Sequence, residues 1–202
     1  MLTPEQKFRK PLIKLKDVFD RARCHYEWWI ALKYELPSVH PEKIPDEVSL
    51  FLHHSRYAHY KCMILDLYMI LDTNPKAASL HTLLPRAVTL GLLDGAGEME
   101  SRNHIHTIKP IWSKIRELRH QLFAHTDTNV HYREVMQTVG LMADDFEKLI
   151  DGGLLALEPI WSKLFQDGHA ILNFQRNSFV EHGKKFTHAL LAPYIREPED
   201  MG

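Results

Sequence analysis

Apolar residues recur every three or four positions along most of the chain, which is the period of an α-helix that buries one face. In the first segment the period is carried by Leu12, Leu15, Val18, Phe19 and Ala22. Strict alternation of apolar and polar residues, which is typical of a half-buried strand, is hard to find. The pattern therefore predicts an all-α protein, an antiparallel helical bundle of long helices joined by short loops.

Six helices are predicted between segments rich in proline, glycine or short polar residues. Thr3 is placed to cap the first helix, with Gln6 as its capping-box partner. A proline-rich segment, 37–45, ends that helix, and the runs 94–97 and 151–153 contain glycines that predict two further breaks. The predicted helices cover residues 4–36, 46–71, 75–93, 99 or 104 to 123, 131–149 and 155–166.

The chain is predicted to consist of a bundle and an appendage. Residues 1–167 are assigned to the bundle, and residues 168–202 to a C-terminal extension. Four aromatic residues of this extension favour packing against the bundle, whereas its acidic last residues are expected to fray. These aromatics are Phe174, Phe179, Phe186 and Tyr194.

Composition excludes several classes of protein. The 202 residues are 45% hydrophobic and 25% charged, which is close to the average for globular proteins. No apolar run is long enough to cross a membrane, and residues 1–16 are too charged for a signal peptide. Two cysteines cannot build a disulfide framework, so we expect a cytoplasmic protein without membrane contact. The net charge of −1 provides no global basic field for nucleic acid.

The chain is unusually rich in histidine, with 14 residues, and histidine is both a metal ligand and an acid or base. The sequence contains no pair of cysteines at zinc-finger spacing and no His-Glu-x-x-His motif. We therefore expect no metal site and no cofactor. A metal site assembled from distant helices stays open as a third hypothesis.

One short segment carries a specific motif. Arg119 is followed directly by the polar His120 and, after five intervening residues, by His125. This arrangement resembles the R-x(4–6)-H signature of the HEPN superfamily. Residues 123–127, Phe-Ala-His-Thr-Asp, are similar to the abortive-infection, U-type branch of that superfamily. Leu71-Asp72, followed by Ser79-Leu80 and Leu83-Leu84, resembles the earlier helices of that branch. The resemblance covers about residues 1–165.

The resemblance implies a four-helix core with extra helices, which is usually dimeric. It implies a metal-independent endoribonuclease, or in some members a domain that only binds RNA or nucleotides. It also implies a role in phage defence or toxin–antitoxin biology, with an antitoxin or regulatory protein as a further partner.

The chemistry of metal-free RNA cleavage agrees with the motif. The 2′-hydroxyl is the nucleophile, so the reaction needs a base with a pKa near neutrality and a cation for the charged phosphorane. We assign His125 as acid or base, Arg119 as the phosphate clamp and His120 as a second proton-transfer or orienting group. Lys109, Lys114 and Arg116 are the candidate RNA-binding residues, because residues 109–120 carry a net charge of +3.

Helical geometry places a condition on this site. On an unbroken helix, side chains six residues apart are separated by about 120° and about 9 Å. Either the helix ends near Phe123, or two motifs form one composite groove across a two-fold dimer.

A second hypothesis makes the same residues structural. Arg119 could pair with Glu117, with Asp127 or with an acidic residue of another helix, and His125 could interact favourably with the helix dipole at a C-terminus. The protein would then be a non-catalytic helical module that dimerises or binds a partner protein.

Overall fold

The structure is a computed structural model, and it describes residues 3–35, 44–124, 137–165, 185, 188–189 and 191–194. Within these ranges the ordered elements are helices, and no strand occurs. The predicted all-α bundle is confirmed. The helices are α1 (Pro4–Glu35), α2 (Asp46–Ile70), α3 (Leu80–Thr89), α4 (Gly95–Ala124) and α5 (Ala143–Leu164), followed by a short 3₁₀ helix (Ala192–Tyr194). Among the described helices, none combines the length and apolar character required to cross a membrane.

The chain divides into two compact units. The first comprises Met1–Arg23 and Ile64–Phe174. In it α4 packs along α5, and α3 contacts both. This packing buries one apolar stripe of each helix and forms the core that supports the C-terminal half of α4. The fully buried side chains of the first unit include Phe8, Leu12, Leu15, Phe19, Ile64, Leu67, Ile70, Leu83, Ile115, Leu118, Phe146, Leu149, Ile150 and Leu157.

The second unit comprises Cys24–Met63 and Gln175–Gly202. Its small core contains Leu32, Leu52 and Leu191. The ring of Trp29 packs on that of Tyr60, with 5.5 Å between the centroids. The predicted boundary between residues 167 and 168 lies outside the described residues and stays a prediction.

The ends of α1 and α3 show how short polar side chains set helix boundaries. Thr3 and Gln6 form the predicted reciprocal capping box at the start of α1. The prediction that the third helix starts at residue 75 is wrong. It starts at Leu80 because the side chain of Ser79 accepts a hydrogen bond from the Thr82 N–H and donates one to the Asp72 carbonyl.

Two predictions at glycines are also wrong: that the fourth helix starts at residue 99 or 104, and that residues 151–153 separate two helices. α4 already begins at Gly95, because the Asp94 carboxylate caps the first turn by accepting from the N–H of Gly97 at 2.8 Å. α5 continues through Gly152 and Gly153. These two glycines permit close packing: a Cβ at Gly153 would lie 2.5 Å from Cζ of Phe19, and one at Gly152 would collide with Ile108.

The break in this part of the chain lies at Gly140, so the predicted continuous helix 131–149 is wrong. Gly140 has φ of +66°, a left-handed conformation that costs a glycine little. Residues 131–136 lie outside the described part of the chain. α5 then starts after Met142, whose N–H donates to the Asp145 carboxylate at 3.0 Å.

Candidate functional site

The predicted site lies on the C-terminal half of α4. This helix reaches Ala124, so Arg119 and His120 are held in regular helix near its end. His125 is the next residue along the chain from that end, and it lies outside the described residues. The distance between Arg119 and His125, and the predicted helix end that would set it, therefore stay predictions.

Arg119 occupies a core-facing position of α4. It lies four residues after Ile115 and seven after Trp112, and both of those side chains are buried. The arginine is half-buried, and its guanidinium carbon lies 4.2 Å from the centroid of the Tyr68 ring. Its Nε atom is buried and has no hydrogen-bond partner among the described residues. A positive charge has thus been placed where an aliphatic side chain would satisfy the helix pattern.

The alternative ion pair between Arg119 and Glu117 does not form. The Glu117 carboxylate instead accepts a hydrogen bond from Nε2 of Gln121, one turn further along the exposed side of α4, at 2.8 Å. Asp127 lies outside the described residues, so its predicted pairing with Arg119 stays a prediction. Across the part of the chain that the structure describes, no salt bridge engages the guanidinium of Arg119.

Tyr68 belongs to a stack of two aromatic rings and two arginines, which we call the arginine–aromatic stack: Arg119, Tyr68, Trp112 and Arg116. The Trp112 ring lies 5.9 Å from the Tyr68 ring at an interplanar angle of 20°, and Arg116 lies over Trp112 at 5.9 Å. The Trp112 indole N–H also donates to the Tyr68 carbonyl at 2.9 Å. The last turns of α2 are therefore joined to α4 beside the candidate site.

No sequence pattern points to Tyr68, because its contact with Arg119 joins positions 51 residues apart on different helices. The spacing of Trp112, Arg116 and Arg119 could have suggested that these three side chains are neighbours on α4.

The structure brings together only part of the predicted RNA-binding set. Lys109, Arg116 and His120 are exposed and lie on one face of α4, at intervals of seven and four residues. Lys114 lies on another face, where its ammonium group donates to the Gly140 carbonyl at 2.7 Å. Lys114 thus holds the turn before α5 rather than extending the basic face.

A pair of histidines in the second unit forms a separate titratable cluster. The Nδ1 atoms of His25 and His59 are 2.9 Å apart, and the His59 ring stacks on Trp28. Burial lowers the pKa of His59, and His25 lowers it further. Over the described ranges, no group of three His, Cys, Asp or Glu side chains is arranged to hold a metal ion.

Comparison with known families gives a match over nearly the whole chain. The matching family is HEPN_AbiU2, described as AbiU2, and it covers residues 5–186. The chain belongs to the AbiU2 family of HEPN proteins. The resemblance to the abortive-infection branch of the HEPN superfamily is therefore confirmed, and it extends past residue 165. The AbiU2 family links the chain to abortive infection, a form of phage defence. No curated protein and no solved structure matches the chain significantly.

Proposed function

We propose that this AbiU2-family protein is a metal-independent endoribonuclease that acts in abortive infection. The observation that carries the proposal is the placement of Arg119. Its guanidinium is partly withdrawn from water and lacks a carboxylate among the described residues. A desolvated cation of this kind favours binding of an anion, and the planar guanidinium suits phosphate.

The proposed reaction is attack of the RNA 2′-hydroxyl on the adjacent phosphorus. His125 accepts the hydroxyl proton as the new P–O bond forms, and the bond to the 5′-oxygen breaks. A protonated imidazole returns a proton to the leaving 5′-oxygen, a role we give to His120. Arg119 stabilises the charge on the phosphorane. The products carry a 2′,3′-cyclic phosphate and a 5′-hydroxyl, and no cofactor takes part.

Contact with the flanking RNA is assigned to the exposed face of α4. Lys109 and Arg116 lie two turns apart on that face with His120 between the basic residues and the helix end, so they can bind phosphates on one side of the scissile bond. Lys114 is not assigned to this face, because its ammonium group donates to the Gly140 carbonyl. A local basic face binds RNA even on a chain of net charge −1, and its affinity falls as salt rises.

We also propose a homodimer with a composite groove. Leu65 and Met69 support it: they lie one turn apart on α2, close in sequence to Tyr68, and are 40% and 41% exposed. A second copy covering these side chains would remove apolar area from water and bring a second motif towards the first. The same surface favours the alternative function, a non-catalytic module that dimerises or binds an antitoxin or other regulatory protein.

The decisive experiment is cleavage of end-labelled RNA in the presence of EDTA. Wild type is compared with Arg119→Ala, His125→Ala and the matched control Arg102→Ala, which removes an exposed arginine of the same helix that pairs with Glu98. We expect wild type and Arg102→Ala to release ends with cyclic phosphate. The other two variants should be at least about 100-fold slower with unchanged melting temperature.

Equal cleavage by all four proteins would reveal a contaminating nuclease and contradict the assignment. Absence of cleavage by wild type, together with a dimer or a bound partner protein, would favour the non-catalytic module.

A further inference from the structure

We propose that Tyr68 is a positioning residue for Arg119: its ring holds the guanidinium in place while leaving N–H donors available to a phosphate. The proposal rests on the function proposed above, because it names the residue that orients the phosphate clamp of that site.

The need for such a residue follows from the arginine side chain. An arginine has four rotatable side-chain bonds, and it clamps a phosphate productively only when its planar end is held in one orientation. Among the described residues, the Arg119 guanidinium interacts with the Tyr68 ring, at 4.2 Å from its centroid, and with no carboxylate. Its buried Nε makes no hydrogen bond there. The ring is therefore the contact that fixes the clamp.

An aromatic ring is suited to this task for a chemical reason. A carboxylate would accept the forked N–H groups of the arginine and neutralise its charge, so a phosphate would have to displace it. A ring face attracts the cation through its quadrupole and accepts no conventional hydrogen bond from the fork. Arg119 is thus held without being neutralised.

The ring of Tyr68 is itself fixed. Trp112 is 6% exposed, stacks on the ring and donates its indole N–H to the backbone carbonyl of the same tyrosine. Arg116 lies over Trp112. Tilting the Tyr68 ring away from Arg119 would require Trp112 to move within a buried position, which close packing opposes.

The test separates the contribution of the Tyr68 ring to cleavage from the contributions of its hydroxyl group and of apolar packing. Tyr68→Phe keeps the ring and should cleave RNA within about twofold of wild type. Tyr68→Leu keeps apolar volume without a ring, and should lower kcat about tenfold with little change in KM, because the clamp acts mainly in the transition state. Tyr68→Met replaces Tyr68→Leu if the latter does not fold. The matched control is Tyr57→Leu, which removes a ring from under Lys61 on the same helix and should leave kcat unchanged.

A second readout does not depend on nuclease activity. In ¹H–¹⁵N spectra, the Nε–H signal of Arg119, assigned with Arg119→Lys, should be shifted by the ring current and exchange slowly with solvent. Inorganic phosphate should shift it further. Tyr68→Phe should keep these properties, and Tyr68→Leu should lose them.

The proposal is overturned if Tyr68→Leu cleaves RNA like wild type, or if Tyr68→Phe is as impaired as Tyr68→Leu. It is also overturned if the Nε–H signal of Arg119 is the same in Tyr68→Leu as in wild type. A wild-type protein that does not cleave RNA would refute the nuclease while the spectra and the phosphate titration still decide the role of the ring.

Discussion

Gly153→Ala provides a direct test of how α5 packs. The substitution adds one methyl group in the middle of a helix, where the intrinsic preference for alanine favours the variant by about 0.5–1 kcal/mol. The new Cβ would lie 2.5 Å from Cζ of Phe19 and 3.5 Å from Cγ2 of Ile70. Both neighbours are fully buried, so neither can move into solvent.

The steric effect should exceed the helix preference. Overpacking a close-packed core costs about 1–3 kcal/mol, because rings and backbone must shift together. The contact at Phe19 is far inside van der Waals distance, so we take the upper part of this range, about 2–3 kcal/mol. After the gain in helix preference, we expect Gly153→Ala to lower the free energy of unfolding by about 1–2.5 kcal/mol. For a chain of this size, that corresponds to a melting temperature lower by roughly 2–10 °C.

Urea and thermal unfolding, followed by circular dichroism at 222 nm, provide the assay. Gly95→Ala is the control, because a Cβ there meets no atom within 4 Å. It should be neutral or slightly stabilising. In a Phe19→Leu background the cost of Gly153→Ala should shrink by about 1 kcal/mol, since the colliding ring is gone. The reasoning is refuted if Gly153→Ala is as stable as wild type, or if its cost is the same in both backgrounds.

Three further changes test other parts of the structure. The pKa of His59 in the folded chain is lowered from the ordinary value of 6.5, so the unfolded chain takes up this proton at a higher pH than the folded chain. Stability should therefore fall as the pH falls from 6.5 through the lowered folded-state pKa. His59→Gln should flatten this slope in unfolding titrations, and the exposed His81→Gln should not. Arg23→Met removes the cation that pairs with Glu147 and Asp151 of α5, and urea unfolding should show the free energy of unfolding lowered by about 1–2 kcal/mol. Ser79→Ala removes the buried cap of α3 and should cost about 1 kcal/mol by the same measurement.

The helical period was sufficient to predict the class of the fold, because it depends on each helix burying one face. The capping of α1 was equally local, since Thr3 and Gln6 are three residues apart. The role of a glycine is harder to predict from the sequence. A glycine can end a helix or admit a neighbouring side chain, and only the position of Ile108 and Phe19 reveals that Gly152 and Gly153 do the latter. These are tertiary contacts between residues far apart in the sequence, so a local sequence pattern does not predict them.

The candidate site was predictable to the extent that it lies on one helix. Positions 109, 116 and 120 share a face by spacing alone, and the same arithmetic sets position 114 apart. The contact between Arg119 and Tyr68 depends on the packing of α2 against α4 within the first unit, and no sequence motif predicts that packing. His125 and the predicted C-terminal extension lie largely outside the described residues and stay predictions.

The placement of Arg119 on the core-facing stripe of α4 has an evolutionary consequence. A partly desolvated cation without a carboxylate among the described residues costs stability, and an aliphatic residue of similar size would remove that cost. Inactivation at this position therefore need not unfold the chain. In cultures that select against the proposed nuclease activity, escape mutants should be enriched in full-length, folded variants of Arg119. Core substitutions elsewhere would reach the same phenotype through degradation of the protein.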